Sequence, residues 1–311
     1  MMPRHKCRIV IDSCCDLPYE TVESMGVDVL CFPFEMSDGT HTDDFGQSMS
    51  NEEFYKLMEK GEQPKTAQIP ITELYETFER MAQEGIRTVY LAFTSGLSGT
   101  FDTVQNVLDD VRAKYPEAEI YAVDTLLASV AEGFLVLEAV KQRNNGLSAS
   151  ELAEWAEEAR WFIHGMFTVD SLESLKRGGR IPPAAASLGA KLDIKPILTF
   201  DVSGHLAVHS LVRGRKKSIK AIAKLMNENI LESDNPLVVY GNSMSERDMS
   251  TLKGMFEKRE SAVEVDCKIG PVIGSHVGPG MVAAVFWGPD RREQMSIGDK
   301  IARTVKGKGA Q

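Results

Sequence analysis

The sequence predicts an α/β protein of two domains, and three observations carry that expectation. Short β-rich runs alternate with amphipathic helical patterns through the first half, the order that builds a mostly parallel sheet flanked by helices. The chain has 311 residues, more than a single compact core ordinarily fills. Near Phe162-Ile163-His164 the regular alternation gives way to a less even pattern, which divides the chain into residues 1–163 and 164–311.

In chain order, the first-half strands are expected at 7–11, 27–34, 88–93 and 120–123, where apolar and β-branched residues cluster. Helices are expected at 51–60, 71–83, 101–114, 126–143 and 150–161, where apolar residues recur at three and four spacing. Ser50 with Glu53 has the form of a capping box for the first of them. Asn144-Asn145-Gly146 is a turn between the last two. In the second half, strands are expected at 166–169, 194–200, 205–211, 237–240, 263–268 and 272–275, with helices at 216–232 and 246–258. Asp201-Val202-Ser203-Gly204 has hairpin chemistry, and Lys176-Arg177-Gly178-Gly179-Arg180 reads as a loop. The small basic tail Lys306-Gly307-Lys308-Gly309-Ala310-Gln311 is expected to be a disordered end.

Composition narrows the class of function. A formal net charge of −10 opposes a duplex-binding surface, which needs clustered Lys and Arg to displace counterions. The five cysteines, Cys7, Cys14, Cys15, Cys31 and Cys267, form neither a metal-binding spacing nor a disulfide framework, so reduced thiols and a cytoplasmic setting are expected. No apolar run is long enough to cross a bilayer, and the first residues lack the pattern of a secretory leader. Neither a metal nor a cofactor is expected.

The most informative motif is Phe93-Thr94-Ser95-Gly96-Leu97-Ser98-Gly99-Thr100, a hydroxyl-rich turn between a strand and a helix. The first N–H groups of a helix lack internal partners and the dipole is positive there, so an anion is favoured. The turn lacks the Gly-Lys-Ser or Gly-Lys-Thr of a nucleotide loop and the Gly-x-Ser-x-Gly of a nucleophile elbow. Asp12-Ser13-Cys14-Cys15-Asp16 follows the first strand, the sheet edge where ligands usually bind, so Ser13 either faces a site or, like Asp16, caps the next helix. Thr66, in Lys65-Thr66-Ala67-Gln68-Ile69-Pro70, is either a ligand hydroxyl or part of a plain turn. His276 stands in the glycine-dense run Gly274-Ser275-His276-Val277-Gly278-Pro279-Gly280, read as a loop after a strand. Residue types alone also allow a Ser98, His276, Asp124 hydrolase triad, although the elbow motif is missing. Arg177 with Arg180, and Arg213 with Arg215, Lys216 and Lys217, are either solvated faces or contacts for an acidic partner or a phosphate.

Together the motifs resemble the DegV family, which includes the fatty-acid-binding subunits of bacterial fatty acid kinase. The resemblance runs through Ile11-Asp12-Ser13, Asp16-Leu17-Pro18, Pro64-Lys65-Thr66, Ser95-Gly96-Leu97-Ser98-Gly99-Thr100, Val123-Asp124-Thr125, Lys176-Arg177-Gly178-Gly179-Arg180-Ile181, Ile194-Lys195-Pro196-Ile197-Leu198 and His276-Val277-Gly278-Pro279-Gly280. It implies two α/β domains with a long-chain fatty acid in a tunnel between them. Its carboxylate would be held by Thr66 and Ser98, with His276 as a further contact and Ser95 supporting the same pocket. Ser13, Arg180 and Arg213 are implied as pocket or kinase contacts. The implied role is that of a carrier, which presents the carboxylate to a separate ATP-dependent kinase that makes an acyl phosphate for phospholipid synthesis. The rival is a serine-dependent acyl hydrolase using Ser98 and His276. Two departures stand out: Thr66-Ala67-Gln68-Ile69 where many relatives have Thr-Ser-Gln-Pro, and the Cys14-Cys15 pair.

Overall fold

The computed structural model describes residues 6–182, 185, 193–257 and 259–294. The expected disordered tail at 306–311 lies outside them. The chain runs β1 (Arg8–Asp12), α1 (Tyr19–Met25), β2 (Asp28–Leu30), β3 (Pro33–Met36), β4 (Gly39–Thr42), α2 (Asn51–Glu59), β5 (Lys65–Thr66), α3 (Ile71–Gln83), β6 (Thr88–Ala92), α4 (Thr100–Lys114), β7 (Ile120–Asp124), α5 (Val130–Asn144) and α6 (Ala149–Ala159). It continues through β8 (Ile163–Thr168), α7 (Glu173–Arg177), β9 (Ile194–Phe200), β10 (Leu206–Arg213), α8 (Arg215–Asn229), β11 (Leu237–Asn242), α9 (Glu246–Lys253), β12 (Val263–Lys268), α10 (Pro271–Val277) and β13 (Val282–Trp287). Among the described residues no helix is long and apolar enough to cross a membrane.

Two main sheets carry this order. The first, β2-β1-β6-β7, is wholly parallel, with Ile11 paired to Leu91 and Leu91 to Val123. Its central strands are buried on both faces, and so they read as continuous apolar runs rather than alternating ones. The second, β10-β9-β8-β13-β11-β12, is antiparallel except where β11 meets β12. A small antiparallel sheet, β4-β3-β5, sits beside them. Helix α5 is apolar around most of its circumference and packs on α6, β8, β11 and β13, so it is shared by both halves of the chain.

Several departures from the sequence reading have physical causes. Pro33 interrupts the run at 27–34, which becomes two strands in different sheets, β2 and β3. The helix expected from 126 begins at Val130, because Leu126 and Ser129 adopt positive φ in the preceding turn. The strand expected at 272–275 is the helix α10, started by Pro271 at its first position. Strand β13 escaped prediction, although it is central to the second sheet. Ser148, rather than Ser50, makes the complete capping box: its hydroxyl takes the Glu151 N–H while the Glu151 carboxylate takes the Ser148 N–H. Neither Ser13 nor Asp16 caps α1, whose start is Pro18 without a side-chain cap.

The core between the sheets also buries acid. Asp12, Asp16, Asp43 and Glu132 are all at most 3 % exposed. Asp12 accepts the Tyr90 hydroxyl at 2.9 Å and the Phe93 N–H at 2.8 Å. Asp16 accepts the Gly270 N–H and the Ser129 hydroxyl, and Asp43 accepts the Val272 N–H at 3.1 Å, so two carboxyls from the first half sit at the start of α10. The principal neighbour of Glu132 is Asp12: the two buried carboxyls interact directly, and Glu132 is the one whose proton is held.

Candidate functional site

A cavity opens between the two halves, with a volume of about 140 Å³ measured to the centres of a water-sized sphere. Its deep walls are apolar: Phe93 and Ala131 from the first half, Phe167, Phe200, Met281 and Val285 from the second. Gly165 keeps the floor open. A Cβ there would lie 3.0 Å from the Phe200 ring and 3.2 Å from the Ala131 methyl. Polar side chains gather at one end, where Thr66, Gln68, Ser98, Arg180 and His276 line the space.

Each of these is placed by a different element. Thr66 does not sit in a plain turn: it belongs to β5, where pairing with Phe34 fixes its backbone. His276 is in the last turn of α10, not in a loop, and its Nε2 lies 2.8 Å from Thr66 Oγ1. Gly178 makes room for the imidazole, since a Cβ at 178 would come within 2.2 Å of His276 Nδ1. Ser98 shares a hydrogen bond with Thr100 Oγ1 at 2.9 Å and accepts the Thr100 N–H at 3.2 Å. It therefore stands at the start of α4, where the N-cap residue Gly99 has no side chain to cap the helix. Arg180 reaches across the halves, donating from Nε and Nη2 to the Leu97 carbonyl at 3.1 and 3.0 Å. The β9–β10 hairpin presses on the same turn: Thr94 donates to the Gly204 carbonyl at 3.1 Å, and a Cβ on Gly96 would meet the Gly204 backbone at 2.5 Å.

Charge at this end suits an anion. Burial, followed by the charges of Arg180 and Arg177, pushes the His276 pKa down to about 4, so the ring is neutral near pH 7. A neutral imidazole protonated on Nε2 donates to Thr66 Oγ1 and leaves the Thr66 hydroxyl free to donate to a ligand. The cluster then offers the threonine hydroxyl, the serine and the open helix start. A carboxylate, which accepts hydrogen bonds and donates none, matches that set.

The structure places three of the expected site residues outside the cavity lining and leaves the triad unassembled. Ser95 is exposed and outside the cavity lining; its hydroxyl and N–H both donate to Asp124, at 2.5 and 3.1 Å. Ser13 is buried, does not line the cavity, and accepts the Phe32 N–H at 3.0 Å, so it braces a wall residue. Arg213 is exposed at the end of β10, away from the lining. The hydrolase triad is not assembled: Asp124 is engaged by Ser95, His276 by Thr66 and Ser98 by Thr100, while His276 Nδ1 has no partner. Cys14, Gln68, Leu97 and the wall residues escaped the sequence reading. Cys14, Gln68 and Leu97 lie within two residues of Ser13, Thr66 and Ser98, whereas Phe167, Phe200, Met281 and Val285 carry no such signal.

No cluster of three or more His, Cys, Asp or Glu among the described residues could hold a metal ion. All five cysteines are free, and burial raises the pKa of each of them.

Comparison with known proteins identifies the group. Residues 6–288 match the profile of the DegV family of uncharacterised proteins, and the chain belongs to that family. A DegV domain-containing protein of Clostridium perfringens is 34 % identical over 281 residues, covering 90 % of this chain and 97 % of the other. A DegV family protein of Thermus thermophilus, solved as a fatty-acid-binding structure, has a TM-score of 0.80 at 27 % identity, covering 91 % of this chain and 99 % of that one. DegV of Bacillus subtilis, described as a fatty acid binding protein, has a TM-score of 0.78 at 25 % identity, covering 92 % and 100 %.

Proposed function

We propose that this chain is a carrier for a long-chain fatty acid and not a catalyst. The acyl chain lies in the apolar cavity and the carboxylate meets Thr66 and Ser98, with His276 behind Thr66. The observation that carries this reading is the pairing of one apolar cavity with a donor cluster at a single end of it. Burial of a methylene contributes about 0.8 kcal/mol, so sixteen carbons supply on the order of 10 kcal/mol and the head fixes direction. The solved fatty-acid-binding relatives support the ligand class. We take residues 1–163 and 164–311 as the two domains between which the tunnel forms; the parallel sheet ends at Asp124 and the second sheet begins at Ile163.

The carboxylate end is also where the Arg177 and Arg180 charges gather, and the Ser98 hydroxyl there is engaged by Thr100 rather than by His276. We therefore extend the proposal to a cytoplasmic partner, an ATP-dependent kinase that receives the head and makes the acyl phosphate used in phospholipid synthesis. Ser98→Ala is the test of the head assignment. Palmitate affinity, measured by calorimetry, is expected to fall about tenfold, as for loss of one hydrogen bond to a charged group. Unchanged affinity would remove Ser98 from the site, and ester hydrolysis by the wild type that disappears in this variant would restore the hydrolase.

A further inference from the structure

One side chain at the polar end has no role in the account so far. Gln68 follows Thr66 by two residues, just past the end of β5. Thr103, in the first turn of α4, donates its hydroxyl to Gln68 Oε1 at 3.2 Å. The amide turns its oxygen toward Thr103, whose hydroxyl also lies 3.3 Å from the Gly99 carbonyl, and its nitrogen the other way. The nitrogen lies against Gly99: a Cβ at 99 would come within 2.8 Å of Gln68 Nε2, and only Gln68 atoms crowd that position. Gln68, Ser98 and Gly99 line the cavity together. Among the described residues Gln68 Nε2 makes no hydrogen bond, which leaves two donors unused at the open start of α4.

We infer that Gln68 is a specificity-determining residue of the head site, whose amide N–H groups bond the ligand's carboxylate. The inference rests on the fatty-acid reading given above and deepens it. A site made of the Thr66 hydroxyl, the start of α4 and the Gln68 amide presents donors on several sides. A carboxylate, with about four lone-pair positions, can satisfy them together. A fatty alcohol cannot, since its own proton needs an acceptor and its single oxygen leaves donors unpaired. Gly99 is part of the device, because any side chain there would displace the amide.

The experiment measures affinity for palmitate and for 1-hexadecanol with the full-length wild type, Gln68→Ala and Gln68→Glu. Gln68 is exposed, so neither change disturbs the core, and a thermal melt confirms folding. Gln68→Ala is expected to weaken palmitate about fivefold to tenfold, the effect of losing a hydrogen bond to a charged acceptor. Gln68→Glu keeps the shape and the bond from Thr103 but sets a like charge against the head, so palmitate is expected to weaken about 30-fold or more. Hexadecanol is expected to change less than about threefold in either variant. Palmitate affinity within about twofold of wild type in both variants would overturn the assignment, as would equal weakening of both ligands. A wild type that binds neither ligand would instead sink the fatty-acid reading itself.

Discussion

Gly178→Ala is expected to weaken fatty-acid binding about 100-fold while leaving the fold intact. Gly178 has φ of −75°, a conformation alanine adopts freely, so the backbone gives no reason for glycine here. The reason is contact, since the new Cβ would stand 2.2 Å from His276 Nδ1 and 3.0 Å from its Cε1. The imidazole must rotate away, which breaks its bond to Thr66 and moves a ring that lines the cavity. Overpacking of this kind costs about 1–3 kcal/mol, and here it falls on the binding site because α7 and α10 meet at that point. Removing the ring in the same background, as Gly178→Ala with His276→Ala, should recover folding stability but not affinity. Calorimetry with palmitate on the single and double variants checks this; a single variant within about threefold of wild type would mean that His276 does not position the head.

The second large effect concerns pH. Burial raises the pKa of Asp12 to about 6 and of Asp43 to about 7, and it pushes Asp16 and Glu132 well above the usual carboxylate range. The groups facing them are Tyr55 from α2, Tyr90 from β6, Asp44 beside Asp43, and the thiols of Cys14, Cys15, Cys31 and Cys267. A carboxyl with a raised folded pKa keeps a proton that the unfolded chain has released, so its contribution to stability falls as pH rises from about 4 through the folded value. His276 and His164 act in the opposite sense, but only below about pH 6.5, where the unfolded rings take up protons that the folded ones refuse. Thiols with raised pKa act above about pH 8.5. Between pH 6.5 and 8 the carboxyls therefore act alone.

Each proton held only by the folded chain costs about 1.4 kcal/mol of stability per pH unit, so stability falls across that window while Asp16 and Glu132 keep theirs. The melting temperature is expected to drop from pH 6.5 to pH 8, by about 2 °C for each kcal/mol lost. Glu132→Gln, which copies the neutral carboxyl beside Asp12, should raise the melting temperature at pH 8 and flatten the slope. A melting temperature that rises with pH, with Glu132→Gln destabilising equally at both values, would show that Glu132 is ionised and paired.

Much of this molecule is written in local pattern. The ranges 71–83, 194–200 and 263–268 coincide with α3, β9 and β12, because amphipathic and β-branched runs there agree with the packing they find. Ser98 is legible as a candidate because a hydroxyl beside a helix start is a local feature, whereas Thr66 reads equally as a plain turn until the resemblance singles it out. His276 stands out by residue type, but the β-branched pair Val272-Ile273 has the pattern of a strand, whereas Pro271 starts the helix α10. Ser95 was misassigned because its partner, Asp124, lies 29 residues away in the neighbouring strand. The role of Gly178 could not be read at all, because it depends on a contact with α10 almost a hundred residues on. The burial of Glu132 was hidden in the same way, as α5 reads as amphipathic until both sheets close on it.

The central claim is tested most directly by mass spectrometry of the purified wild-type protein, native and after organic extraction. The expected result is one long-chain fatty acid per chain, released by extraction and replaced by added palmitate. A protein that arrives empty and takes up no added fatty acid would contradict it.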